Sequence, residues 1–166
     1  MCVRTFIPEC VRTHKRGTVH AMNDTSAWAA LLRVHAAVVP LLDRELQTRC
    51  RLPLTWYDVL LELSSAPDRE LTMGELGARA VVTRTRVSRI VAELEQAGRV
   101  EKRLNPEDAR SSIARITPAG RERLRKAAPI YLAAIDRHFN AHLRPGESKA
   151  VATALQRVLE ERRAIS

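Results

Sequence analysis

No apolar run in this chain reaches the roughly 18 residues that a membrane-spanning helix requires. The best stretch, Trp28 to Leu42, is interrupted by Arg33 and His35. A soluble protein with no membrane partner is the expectation. Cysteine is scarce, and Cys2, Cys10 and Cys50 form neither a CxxC pair nor an even disulfide set, which points to a reducing cytoplasm rather than a disulfide scaffold. The glycine-rich phosphate loop, the nucleophile elbow and the HExxH metal pair are all missing. Neither an enzyme, a cofactor nor a metal is therefore expected. Residues 1–21 do not read as a secretory signal, because their positive charges are not followed by a continuous apolar segment. Internal repeats and low-complexity tracts are lacking as well.

Acidic residues are too few to balance the basic ones. With 28 Lys and Arg against 19 Asp and Glu, the net charge is +9 and the isoelectric point about 10.5. Such a balance favours a polyanionic partner, although charge alone does not separate nucleic acid from an anionic membrane. The 166 residues suffice for one domain of ordinary size.

What is present is concentrated between Leu71 and Thr117. Thr72 can cap a helix, Glu75 can reach back to complete a capping box, and Leu71 can staple to Leu76. Thr83 offers a second N-cap, after which Val87, Ile90, Val91 and Leu94 recur at the spacing of a buried helical stripe. The outer face of that helix holds Thr85, Ser88 and Arg89, with Arg84 and Arg86 beside them near its start. Gly98 can end it in the left-handed conformation. Two short helices, the second basic on its outer face, read as a helix-turn-helix. The β-compatible runs Arg99 to Leu104 and Ser112 to Ile116, separated by turn-forming Asn105-Pro106-Glu107-Asp108, read as a hairpin wing.

The flanks are helical. Asp24 to Ser26 can cap a helix whose apolar positions run from Trp28 to Leu46, with Pro40 predicted to kink or split it near Val39. A seam this long must be covered, either by later helices of the same chain or by a second subunit. A third helix starts at Pro53 or Thr55 and buries Trp56, Val59, Leu60 and Leu63. Thr117 and Pro118 begin another, striped with Leu124, Ala128, Tyr131, Ile135 and Phe139 and bent at Pro129. Glu147 to Ile165 forms the last, with Val151, Leu155, Val158 and Leu159 turned inward. The fold class is mainly α with a small β-hairpin wing, an α+β winged helix-turn-helix between helical ends. Residues 1–21 carry a net charge of +3; they fit a disordered basic tail, with Met22 an alternative start, or an arm that touches DNA.

The segments Thr83 to Val91, Leu94-Glu95-Gln96-Ala97-Gly98-Arg99-Val100, Asp108-Ala109-Arg110 and Ile116-Thr117-Pro118-Ala119-Gly120 resemble the signature of the MarR (multiple antibiotic resistance regulator) family. The resemblance spans about residues 24–165, and its most specific part is the Asp-x-Arg wing followed by a hydrophobic-Thr pair. It implies a cytoplasmic transcriptional regulator, a homodimer that straddles a pseudo-palindromic operator in double-stranded DNA. In that scheme residues 1–22 are a tail, 23–52 an N-terminal dimerisation helix, 53–120 the winged DNA-binding unit, and 121–166 the C-terminal dimerisation helices. The second helix would enter the major groove, Arg110 would reach the minor groove, and Asp108 would support the wing. Repression released by a small molecule, such as an aromatic anion, is the implied regulation, with Trp28, His35, Trp56 and Asp58 as candidates to line its pocket.

The residues themselves suit these roles. Arg84, Arg86 and Arg89 can contact phosphates or read guanine bidentately, and Thr83, Thr85 and Ser88 can donate to phosphates near a helix N-terminus. For Arg89 both contacts stay open. Each exposed arginine also fits a merely solvated surface, and each aromatic a core position. A non-specific architectural DNA binder or a protein-interaction module would use the same fold. So would a metal- or redox-responsive regulator, for which His138 and His142, spaced i, i+4, and the lone Cys50 are the candidate sensors.

Overall fold

The computed structural model describes residues 25–80, 84–106, 108 and 110–165, with residues 84 and 162–165 described by backbone alone. The expectations placed on residues 1–22 and on Thr83 lie outside the described residues. Among those described, the order is α1 (Ser26–Cys50), α2 (Leu54–Ser65), β1 (Glu70–Thr72), α3 (Met73–Arg79), α4 (Arg84–Gln96), β2 (Val100–Leu104), β3 (Ser112–Ile116), α5 (Pro118–His138) and α6 (Glu147–Ile165). Short 3-10 turns lie at Pro67–Arg69 and Asn140–His142.

The core is built around α2. Val59, Leu60 and Leu63 have no exposed surface, and Leu46, Leu52, Leu76, Val87, Val91, Leu94, Val100 and Ile116 close around them. Each such side chain stabilises the fold by roughly 1.5–3 kcal/mol of transferred apolar surface. Tyr57 of α2 meets Tyr131 of α5 with ring centroids 4.5 Å apart and planes tilted by 44°. Burial pushes both phenols above their ordinary pKa.

Helix α1 runs unbroken through Pro40, so the predicted split near Val39 does not occur. The carbonyl that loses its partner to the proline ring belongs to Ala36, which is exposed, where water can replace the missing bond. Likewise α5 continues through Pro129. The predicted cap at the start of α1 is not formed, since Thr25 occupies the N-cap position without a side-chain hydrogen bond. At the other end Arg123 of α5 donates to the carbonyls of Cys50 and Arg51, satisfying the helix terminus after Arg51 turns left-handed at φ 50°. Asp43 of α1 accepts the Leu54 N–H at 2.8 Å, capping α2, whose own N-cap residue is Pro53.

Against the expectation from composition, α1 is long enough and apolar enough to cross a membrane, with a mean hydropathy of 1.2 over its best window. Averaging simply tolerates the charges that interrupt the run. Its C-terminal half belongs to the core, with Leu42 and Leu46 buried. Its N-terminal half does not: Trp28 is 60% exposed, and Leu31 and Leu32 are exposed beside it. The same holds for α6, where Val151, Leu155, Val158 and Leu159 were expected inward but are exposed. Among the described residues, no helix of the chain covers either face. On α5 the buried positions are Gly120, Leu124, Ala127 and Ala134, which displaces the predicted Ala128 and leaves Tyr131, Ile135 and Phe139 half-buried.

The wing is a three-stranded antiparallel sheet of order β1-β3-β2, one strand more than the expected hairpin. Glu70 stands opposite Arg115, and Val100 opposite Ile116. Glu70 also pairs with Arg103 at 2.7 Å and with Arg115 at 3.9 Å, so one β1 carboxylate joins all three strands.

The start of α5 is stitched to the end of the helix-turn-helix. Gly98 turns left-handed at φ 68°, and the Thr117 hydroxyl lies 2.9 Å from the Gly98 carbonyl and 3.1 Å from that of Arg99. The same oxygen accepts the Gly120 N–H at 3.0 Å, capping α5. A Cβ at Gly120 would sit 2.2 Å from the Arg99 carbonyl oxygen and 2.8 Å from Ile116 Cγ1. Backbone cannot yield as a flexible side chain does. Gly120→Ala is therefore expected to lower stability by about 1–3 kcal/mol, read as a lower urea midpoint; an unchanged midpoint would contradict this close approach.

Candidate functional site

Helix α3 begins as the local sequence dictates. Glu75 N–H donates to Thr72 Oγ1 at 3.2 Å, and Thr72 N–H donates to Glu75 Oε2 at 2.8 Å, completing a capping box. The backbone and hydroxyl bonds from Thr72 lower the Glu75 pKa. Leu71 and Leu76 are both buried, as a hydrophobic staple requires.

The apolar stripe of α4, Val87, Ile90, Val91 and Leu94, is buried and decides which residues face out. At about 100° per residue, Thr85, Arg89, Ala92 and Gln96 lie opposite that stripe, and all four are exposed. Ser88 lies on one flank, also exposed. Arg86 and Glu93 lie on the other flank, toward α2. Arg84 opens the helix, with its side chain outside the described residues. The outer row of α4 is thus narrower than expected, and Arg86 turns away from it into a cavity described below.

At the wing tip, Asp108 organises the loop between β2 and β3. Its Oδ1 accepts the Arg110 N–H at 3.0 Å, and its carbonyl accepts the Ser111 N–H at 2.9 Å. Asn105 Nδ2 donates to Ser111 Oγ at 2.9 Å. The turn holds Arg110 at an exposed apex, where a guanidinium is free to meet a polyanion.

A cavity of about 690 Å³ lies where α1, α2 and α5 meet the helix-turn-helix, lined among others by His35, Val39, Asp58, Glu62, Arg79, Arg86 and Tyr131. Two of the four predicted pocket residues, His35 and Asp58, line it. The other two do not. Trp28 lies near the exposed end of α1, and the indole Nε1 of Trp56 donates to Glu93 Oε2 at 3.0 Å. Burial, with a smaller contribution from the neighbouring Glu62 carboxylate, pushes Asp58 up to about 6. Arg79 and Arg86 supply positive charge from the turn side. Sequence reasoning missed Arg79, because a basic residue in a last helical turn looks like ordinary dipole complementation.

The candidate sensors are not drawn together. His138 ends α5 and His142 lies in the following 3-10 turn, so the two do not share a helical face. His138 Nε2 stands 3.6 Å from Glu45 instead. Cys50 donates its thiol to the Leu46 carbonyl, as a helical thiol does. Among the described residues, no group of three or more His, Cys, Asp or Glu side chains could hold a metal ion.

A model described as MarR family matches residues 52–111. A MarR family transcriptional regulator of Streptomyces coelicolor, solved in complex with DNA, is 31% identical at a TM-score of 0.74, over 89% of this chain and 91% of its own. A second regulator of that family and organism, AbsC, is 27% identical at a TM-score of 0.73, over 90% and 99% of the two chains. A third, from Silicibacter pomeroyi, is 28% identical at 0.71, over 87% and 99%. No curated protein sequence matches the chain.

The raised pKa of Asp58 has a consequence for stability. The folded group binds its proton more tightly than the unfolded one, whose value is 3.8, so stability falls as pH rises from there to about 6. Asp58→Asn should flatten that fall and gain on the order of 1 kcal/mol at neutral pH, once the group's part exposure is discounted. Urea unfolding of both proteins across pH 4 to 7 reads this; parallel curves would contradict it.

Proposed function

The chain belongs to the MarR family of transcriptional regulators, and from that premise we propose that it works as a homodimer that reads a pseudo-palindromic DNA operator, one winged lobe to each half-site. The observation that carries this reading is the pairing of an exposed row on α4 with an exposed, turn-held arginine at the wing tip. Thr85, Ser88 and Arg89 present hydroxyl and guanidinium donors to the major groove. Arg110 reaches the minor groove, where a narrow, negative channel attracts a guanidinium. Asp108 supports it through the loop. The S. coelicolor relative solved with DNA supports DNA as the polyanion, and the net charge of +9 agrees with it.

Dimerisation is supported by the two uncovered apolar faces. Trp28, Leu31 and Leu32 of α1, and Val151, Leu155, Val158 and Leu159 of α6, leave apolar helix faces open to water, and exposed apolar faces mark protein–protein contact sites. Residues 23–52 and 121–166 are then the dimerisation segments, and 53–120 the reader between them. The distance between two readers is set by helices that touch no DNA.

Regulation follows from the cavity. Its size falls within the ordinary range for small-molecule sites, and Arg79 and Arg86 suit an aromatic anion stacked among Val39, Leu42 and Tyr131. Asp58 and Glu62 orient such an anion by repelling its charged end toward the two arginines. A ligand there touches both α1 and the helix-turn-helix. If it binds the lobe spacing that does not fit DNA more tightly, it releases the operator by that difference in affinity. Arg86 thus serves the cavity rather than the groove, and the protein acts as a repressor.

One gel-shift titration across salt concentrations tests the reading. Arg110→Ala should weaken operator binding about tenfold and lower the salt slope by about one, and benzoate should weaken the wild type. Unchanged affinity and slope in the variant would count against the wing contact, and insensitivity to millimolar benzoate against the effector site.

A further inference from the structure

Glu93 divides its carboxylate between two partners on different helices. Its Oε2 accepts the indole N–H of Trp56, on α2, at 3.0 Å. Its Oε1 lies 3.7 Å from Arg89 Nε, one turn earlier on α4. Trp56 is half-buried against the core, and a half-buried indole needs an acceptor for its N–H. The acceptor it takes is the one beside the outermost arginine of α4. A carboxylate pinned through one oxygen presents the other in a fixed direction.

The carboxylate beside Arg89 favours one of two ways of touching DNA. A guanidinium reaching freely from a helix can fork onto a phosphate as well as onto a base edge. One whose Nε side faces a carboxylate, here at 3.7 Å, is drawn that way by charge and leaves its terminal Nη1 and Nη2 edge outward, an edge that matches the O6 and N7 acceptors of guanine. The Arg89 side chain is 74% exposed, so the outward edge is open. A carboxylate on a recognition helix also opposes phosphate by charge, which makes it a poor device for general affinity and a suitable one for selecting a base.

We propose that Arg89 reads a guanine in each half-site, and that Trp56 and Glu93 are positioning residues that set its specificity, Trp56 acting through Glu93. The proposal deepens the DNA-reading function and rests on it. The Trp56 ring faces the protein interior and makes no DNA contact in this scheme.

The test uses the full-length protein and its footprinted operator, with each base pair of a half-site changed in turn, and random-sequence DNA alongside. Arg89→Ala should lose discrimination on the order of tenfold or more at one G·C pair. Glu93→Gln keeps an oxygen for the indole and removes the charge. It should lose about twofold at that same pair, as an exposed i, i+4 ion pair warrants, while its affinity for random DNA holds or rises. Trp56→Phe should show the same local loss in the wild-type background and no further loss when combined with Glu93→Gln. A fold defect would instead weaken specific and random binding together. Uniform weakening by Arg89→Ala at every base pair, with a flatter salt slope, would place Arg89 on phosphate and overturn the proposal. So would wild-type discrimination in Glu93→Gln or in Trp56→Phe. A wild type that prefers no site at all would overturn the operator reading itself, and this proposal with it.

Discussion

Burial of Val87, Ile90, Val91 and Leu94 is the constraint on which the remainder of the molecule depends. A helix of thirteen residues has little stability alone in water, so α4 exists because its apolar stripe packs on α2, α3 and β2. The same packing decides its rotation, and with it the row of side chains offered outward. Rotating α4 by one residue would replace Arg89 by Ser88 or Ile90 at the apex. Specificity in such a reader is therefore a property of the core as much as of the surface.

Three further connections hold that orientation against the body of the protein. The Thr117 hydroxyl and the Gly120 contact tie the end of α4 to the start of α5. The Glu70 carboxylate ties the wing strands together, and Trp56 reaches Glu93 across the interface of α2 and α4. Together they tie the parts of the winged unit to one another. The cavity beneath it is lined by Arg79 and Arg86 from the helix-turn-helix and by His35 from α1. A ligand that favours one lobe position needs no direct contact with the DNA-facing row.

Much of this arrangement was legible in the sequence, and the reasons differ by element. The capping box at Thr72 and Glu75 was readable because a cap is decided within four residues. The α4 stripe was readable because burial repeats with the helical period. Strand β1 was not, since Glu70-Leu71-Thr72 is too short to alternate and its residues also read as the lead into a helix. Nor was the exposure of Val151, Leu155, Val158 and Leu159, because periodicity marks an apolar face without saying whose surface covers it. Arg86 looked like its neighbours until the helix rotation turned it toward α2. The Trp56 to Glu93 bond spans 37 residues and leaves no local pattern, so Trp56 read as a core or pocket aromatic. Pro40 was expected to kink or split α1; the split does not occur, because the orphaned carbonyl belongs to exposed Ala36, where water can bond it.

In the proposed function two copies, spaced by their terminal helices, read two half-sites at once. Footprinting the DNA that flanks the gene tests it most directly. Two protected patches related by a two-fold axis are expected, their centres about 10 to 10.5 base pairs or a multiple of that apart. A single unpaired patch, or even protection along the whole fragment, would contradict it.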